Sequence, residues 1–197
     1  MTIAPHASPS SPKKTTVKPT TQLKAKACQS VNPYDGRIVK TFEELTDPQL
    51  ETAIATAAEC FTDWRNQSFA ERTAIVAKAA AIIRANADDF AKPVTLEMGK
   101  LIAGSLGEVA LSADILDYYA ENAERFLATE TLEPASGEAE IVSSPIGVLF
   151  GVQPWNFPYY QLARFAAPNL MAGNVVMVKH AGCAPQCANA FENIYER

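Results

Sequence analysis

The sequence predicts an α/β fold: a helical layer followed by the start of a parallel sheet. Three observations carry this reading. Apolar residues repeat at helical spacing in four successive segments between Asp47 and Ala120. Two runs, Gly147 to Val152 and Asn174 to Lys179, have the near-continuous apolar character of strands buried on both faces. One helical segment separates them, so strand, helix and strand make a single right-handed crossover, the unit from which nucleotide-binding sheets are built.

Taken in order, residues 1–27 are dominated by Ser, Thr, Pro and Lys without apolar periodicity. They cannot bury enough surface to order themselves and are expected to form a disordered basic tail. Their lack of arginine argues against an organelle-targeting peptide. The folded part is expected over 28–197. Asn32-Pro33-Tyr34-Asp35-Gly36 is turn chemistry, and Arg37 to Phe42 a short strand.

Asp47 followed by Pro48 reads as an N-cap with proline at the first helical position, and Leu50, Ile54, Ala57, Phe61 and Trp64 then mark one buried face. Ser68 and Glu71 fit a capping box opening a second helix, which carries Ile75, Ala79, Ile82 and Ile83 inward. A third helix holds Phe90, Val94 and Met98, with Pro93 in its first turn or at a kink, and Gly99 ends it with the charges of Glu97 and Lys100 at the surface. A fourth runs from about Leu101 with Ile102, Leu106, Val109, Ala113, Leu116 and Ala120 on one stripe. These four form the layer ahead of the sheet. Residues 129–144 change to Glu, Pro and Gly around Ala139-Glu140-Ile141-Val142, a hairpin arm outside the helices, half apolar and in need of a partner.

The central stretch is Gly147-Val148-Leu149-Phe150-Gly151-Val152-Gln153-Pro154-Trp155-Asn156-Phe157-Pro158. Pro154 has no amide hydrogen for a sheet ladder and ends the strand, and Pro158 suits the first turn of the next helix. Trp155 and Asn156 are thereby held in a stiff loop beyond the carboxyl end of a strand, where open α/β sheets bind ligands. An uncharged amide aimed before charge develops is what oxyanion stabilisation requires. Asn156 also suits the N-cap of the helix at Pro158. That helix is expected over Tyr160 to Met171 and closed by Gly173. Lys179 leaves the second strand at the same sheet edge, as a solvated lysine or as a cation reaching a ribose hydroxyl or a phosphate. A last helix begins at Pro185.

The net charge of −5 conceals an asymmetry, because 1–27 holds five of the 17 basic residues and no acid. The remainder sets 12 basic against 22 acidic side chains, a net of −10 that argues against a nucleic-acid partner. The four cysteines (Cys28, Cys60, Cys183, Cys187) are not spaced as a disulfide framework, and a reducing cytoplasmic location fits them. No apolar run approaches a membrane span. His180, Cys183 and Cys187 lack a nearby fourth ligand, so no metal site is expected. Gly147 and Gly151 flank strand residues and do not open a helix, so no glycine-rich phosphate turn is present.

Several separated motifs agree in order and spacing with one family. Pro154-Trp155-Asn156-Phe157-Pro158, Ala167-Pro168, Ala172-Gly173-Asn174 and Val178-Lys179, with the N-P-x-x-G turn at Asn32 and Glu97-Met98-Gly99-Lys100, resemble the aldehyde dehydrogenase superfamily. The match runs from about Asn32 to the last residue. Lys179-His180-Ala181 resembles the succinate-semialdehyde dehydrogenase branch. The resemblance implies the N-terminal part of a Rossmann-like cofactor-binding domain. It implies Asn156 as oxyanion donor, with Trp155, Asn156, Lys179, His180, Ala181 and Gly182 about the cofactor and Lys179 at its ribose. It also implies a small aldehyde as substrate and a homo-oligomer bridged by the 129–144 hairpin. Arg164 is a candidate partner for a substrate carboxylate. Where many NAD-preferring relatives have Glu three residues after the lysine, this chain has Gly182. Without that carboxylate nothing repels a 2′-phosphate, so NADP is expected to be accepted, and preferred over NAD.

Relatives form a covalent thiohemiacetal on cysteine, pass hydride to the nicotinamide and hydrolyse the thioester with water activated by glutamate. None of the four cysteines has the F-x-x-x-G-Q-x-C surroundings of that nucleophile, and the general-base glutamate segment is absent. The resemblance covers less than half of a usual family member. The expectation is therefore a truncated N-terminal portion of an NAD(P)-dependent aldehyde dehydrogenase, inactive alone and prone to associate through an open sheet edge. The alternative is a non-catalytic fragment that binds nucleotide weakly or pairs with full-length subunits through its Glu138 to Ser143 arm.

Overall fold

A computed structural model describes residues 27–195, so the expected tail over 1–26 lies outside the described residues. The architecture is α/β. A short antiparallel pair, β1 (Cys28–Val31) and β2 (Ile38–Phe42), precedes four helices: α1 (Asp47–Trp64), α2 (Phe69–Ala85), α3 (Ala87–Met98) and α4 (Ile102–Phe126). The hairpin β3 (Glu130–Leu132) and β4 (Ala139–Ile141) follows, and the chain then runs β5 (Val148–Val152), α5 (Pro158–Met171), β6 (Val175–Lys179) and α6 (Pro185–Glu192). β5 and β6 are parallel, in register from Val148 opposite Val175 to Val152 opposite Lys179.

The turn between β1 and β2 follows from its residues. The Asn32 side chain accepts from the Tyr34 amide at 2.9 Å, Gly36 takes a positive φ of 72°, and Asn32 exchanges backbone bonds with Gly36 and Arg37. β1 itself, with Ser30 buried, went unrecognised because its run of Cys, Gln, Ser and Val carries no alternation.

The core lies between α2, α3, α4 and α5. Val76, Ala79, Ala80 and Ile83 of α2 meet Val94 of α3, Val109, Ala113 and Leu116 of α4, and Leu162, Ala163 and Ala166 of α5. At roughly 25 cal/mol per Å² of apolar surface removed from water, this packing is the main stabilising term. The capping box at Ser68 is present: the Glu71 amide donates to Ser68 Oγ at 3.3 Å and Ser68 N donates to Glu71 at 2.7 Å.

Several expectations need correction. Helix α1 is capped by Thr46, whose amide donates to the Gln49 side chain at 2.9 Å, and Asp47 is already helical. Leu50 and Ile54 are exposed, and the half-buried Ala57, Phe61 and Trp64 belong to a helix that packs on β5 and β6, with Trp64 Nε1 donating to the Leu170 carbonyl at 3.0 Å. α1 thus covers the sheet and does not extend the helical layer. In α2 Val76 faces inward and Ile75 is exposed, and in α4 Ile102 is exposed. Pro93 sits inside α3, past its first turn. Helix α5 begins at Pro158 and not at Tyr160; Gly173, at φ 87°, follows its C-cap Ala172. There the Gly173 amide donates to the Leu170 carbonyl at 2.9 Å and Asn174 N to the Asn169 carbonyl at 3.0 Å, a Schellman closure.

Candidate active and cofactor-binding site

The site lies at the carboxyl ends of β5 and β6. Gly151 lets α5 approach β5, since a Cβ there would stand 2.6 Å from Phe165 Cε1. At the other end of the crossover the Asn174 side chain accepts from the amides of Ile146 at 2.7 Å and Gly147 at 3.1 Å, tying the start of β6 to the start of β5. The strands are thereby aligned so that Gln153 N donates to the Lys179 carbonyl at 3.0 Å. This contact holds Gln153, the residue that leads into the Pro154 to Pro158 loop, beside Lys179.

The far end of that loop is held by two charged residues, Lys100, which the sequence reading placed at the surface, and Glu108, which it did not single out. Glu108 of α4 is 2% exposed, and its Oε1 accepts from Tyr159 N at 2.9 Å and Tyr160 N at 3.5 Å. Its Oε2 pairs with the Lys100 ammonium, which lies 3.6 Å from the centroid of the Phe157 ring. A buried carboxylate thus satisfies the first free amides of α5 and offsets the positive end of its dipole. Glu97 does the same for α6, accepting from Gln186 N at 2.9 Å and Cys187 N at 3.1 Å. It is 3% exposed, so the expectation that Glu97 and Lys100 are surface charges is wrong: both act in packing. Gln186 in turn donates to Ser30 at 2.7 Å and fastens β1 to α6.

Trp155 and Asn156 project from this doubly anchored loop and are exposed. The capping alternative for Asn156 fails, because Phe157 is the N-cap and makes no side-chain bond to α5. Lys179 is exposed at the end of β6 and, among the described residues, has no carboxylate within ion-pair distance. Between the two strand ends Gln153, Pro154, Pro158 and Leu162 face His180, Ala181 and Ala184 across a crevice with room for about one water molecule. His180 and Ala181 therefore line one crevice with Gln153 and Pro154, whereas Trp155, Asn156, Lys179 and Gly182 are exposed and outside its lining. A Cβ added at Gly182 would meet nothing within 4 Å. Arg164 lies on the exposed side of α5, its guanidinium 5.9 Å from the Tyr160 ring centroid.

Cys187, in the first turn of α6, is buried. Burial pushes its thiol up, the neighbouring Glu97 carboxylate adds to the effect, and burial also raises the Tyr159 phenol. A protonated, enclosed thiol is not a nucleophile. Among the described residues no three His, Cys, Asp or Glu side chains are grouped to hold a metal ion, and no helix is long and apolar enough to cross a membrane.

The strand–loop–helix geometry around Pro154 to Pro158 sits within a sequence that matches the model of the aldehyde dehydrogenase family over residues 20–197. The chain belongs to the aldehyde dehydrogenase family. It is 44% identical over 166 residues to the succinate-semialdehyde dehydrogenase [NADP(+)] of Deinococcus radiodurans, covering 84% of this chain and 35% of that protein. It is 44% identical over 171 residues to succinate-semialdehyde dehydrogenase [NADP(+)] 1 of Mycobacterium tuberculosis, covering 85% and 37%. The crystal structure of succinic semialdehyde dehydrogenase from Streptococcus pyogenes in complex with NADP+ superposes with a TM-score of 0.84 at 40% identity, over 86% of this chain and 38% of that one. This aldehyde dehydrogenase chain thus spans little more than a third of the length of the relatives it matches.

Proposed function

We propose that this chain supplies the oxyanion donor and part of the cofactor cleft of an NADP-dependent succinate-semialdehyde dehydrogenase, an oxidoreductase converting the aldehyde to succinate. The observation that carries this reading is the pairing of Val152 with Lys179 at one sheet edge. It puts an exposed cation, with no ion-pair partner among the described residues, beside the loop that presents Asn156. The names of the relatives support the substrate and the cofactor.

The residues present fit a dinucleotide. Lys179 would hold a ribose hydroxyl or the 2′-phosphate, and the open space at Gly182, which carries no carboxylate of its own, leaves room for a phosphate. Trp155, His180 and Ala181 would complete that side of the cleft. When bound, the nicotinamide supplies a hydride acceptor. Asn156 would donate its side-chain amide to the aldehyde oxygen as negative charge grows there, and loss of such a donor costs roughly 10²–10³ in kcat. Arg164 would attract the far carboxylate of the substrate. The 129–144 hairpin, with Ile141 and Val142 exposed, would bridge subunits of a homo-oligomer. No cysteine here lies in a G-Q-x-C segment, so the 197 residues alone are expected to oxidise no aldehyde.

The test is a fluorescence titration of the Trp64→Phe chain, in which Trp155 is the remaining tryptophan, with NADPH and then NADH. NADPH is expected to bind the more tightly, and Lys179→Met to weaken it about tenfold, which is about 1.4 kcal/mol. Tighter binding of NADH, or no binding of either nucleotide, overturns the reading.

A further inference from the structure

The turn that follows β6 is in contact with the first strand. Gly182 and Cys183 occupy the centre of a turn closed by the Ala184 amide, which donates to the Ala181 carbonyl at 3.1 Å. On the inner side of this turn Cys28 of β1 donates its thiol to the Gly182 carbonyl at 3.5 Å. That carbonyl belongs to the peptide unit that continues into Cys183, so the Cys183 Cα lies only about 2.8 Å beyond the oxygen that the Cys28 sulfur touches. The two thiols also interact electrostatically. Both are free, Cys183 exposed and Cys28 half-buried. The other two cysteines stand apart from this arrangement, Cys60 exposed on α1 and Cys187 inside the core.

We propose that Cys28 and Cys183 are a redox-modification site, joined by a reversible disulfide when the chain meets a peroxide. The exposed Cys183 reacts first. Its thiolate attacks one peroxide oxygen, the O–O bond breaks, and the sulfur is left as a sulfenic acid while the second oxygen leaves as water. Cys28 then attacks the sulfenic sulfur, the S–O bond breaks, and the hydroxide leaves with the Cys28 proton as a second water. Two electrons pass from the thiols to the peroxide. The division of roles follows from the surroundings. Burial, together with Glu44 and Glu97 nearby, holds the Cys28 thiol above its ordinary value and keeps it protonated until a partner sulfur is presented. Bridging requires Cα atoms roughly 4.4–6.8 Å apart, and an exposed turn with glycine beside Cys183 at its centre can adjust to that distance. The bond would fasten the His180 to Cys183 turn to β1. The inference stands on this contact and not on the function proposed above.

The experiment is peroxide treatment of the reduced full chain, followed by non-reducing gel electrophoresis and peptide mass mapping. The expected result is a faster-migrating monomer containing a Cys28–Cys183 cross-linked peptide, reversed by dithiothreitol and lost in both Cys28→Ser and Cys183→Ser. A cross-link that persists in Cys183→Ser, cross-linked dimers alone, or Cys183 accumulating as sulfenic acid without a cross-link overturns the proposal.

Discussion

The Glu108 carboxylate accepts the Tyr159 backbone amide at 2.9 Å from 51 residues away, so a side chain on α4 completes the first turn of α5. The acid is enclosed and its second oxygen holds Lys100, whose ammonium faces the Phe157 ring. Removing it should expose every part of that arrangement at once. Glu108→Ala, which strands a half-buried ammonium and two helix-end amides, is expected to cost about 3 kcal/mol, the low end for a broken buried pair because the ammonium keeps some contact with solvent. Glu108→Gln keeps an acceptor for Tyr159 and should cost less, about 1–3 kcal/mol. Urea unfolding of the two variants checks the order.

The close approach of α5 to β5 gives a second prediction. Gly151→Ala places a methyl 2.6 Å from Phe165 Cε1 and 2.8 Å from Gln153 Nε2. Overpacking of this kind is expected to cost about 1–3 kcal/mol. Phe165→Ala in the same chain should recover part of the loss, and a double-mutant cycle by thermal melting reads the coupling.

The reversal of the chain after α5 gives a third. Gly173, at φ 87°, holds a backbone conformation that L side chains rarely adopt, so Gly173→Ala is strained although a Cβ would meet Pro145 only at ordinary contact distance, and it should cost about 1–2 kcal/mol. Asn174→Ala leaves the Ile146 and Gly147 amides without their acceptor and should cost about 1–3 kcal/mol. Chemical denaturation measures both.

The box at the start of α2 predicts a pH dependence. The bonds from the Ser68 hydroxyl and amide hold the Glu71 carboxyl below its ordinary 4.5. A depressed carboxyl contributes stability above its unfolded value and loses it as the pH falls through the folded one. Ser68→Ala should therefore cost about 1 kcal/mol at neutral pH. The gap to the unsubstituted chain should narrow below about pH 4.5. Thermal melts at pH 7 and pH 3 test the sign.

The sequence is legible where the physics is local. Ser68 and Glu71 are three residues apart, Gly173 closes its own helix, and the apolar run at Val148 and the β-branched run at Val175 announce strands without outside help. The α1 cap slipped by one residue because Thr46 and Gln49 compete with the Asp47-Pro48 signal. The α1 face was misjudged because periodicity tells which side of a helix is apolar and not what covers it; Leu50 and Ile54 remain in solvent. Around the candidate site, the loop of Trp155 and Asn156 and the strand-end lysine were readable from proline placement and the PWNFP match. Glu97 and Glu108 were not, since the amides they satisfy lie 89, 90 and 51 residues away. The one local hint was an acid at position 108 between the inward-facing Ser105 and Ser112.

The carboxylates that start α5 and α6 both sit earlier in the chain than the helices they start. During synthesis Glu97 and Glu108 leave the ribosome before Pro158 and Pro185 do, so a docked α3–α4 pair can serve as a template for each later segment as it emerges. Circular permutation that moved α5 and α6 ahead of α3 would keep every native contact and reverse this order, and the slower refolding of nascent chains would be its mark.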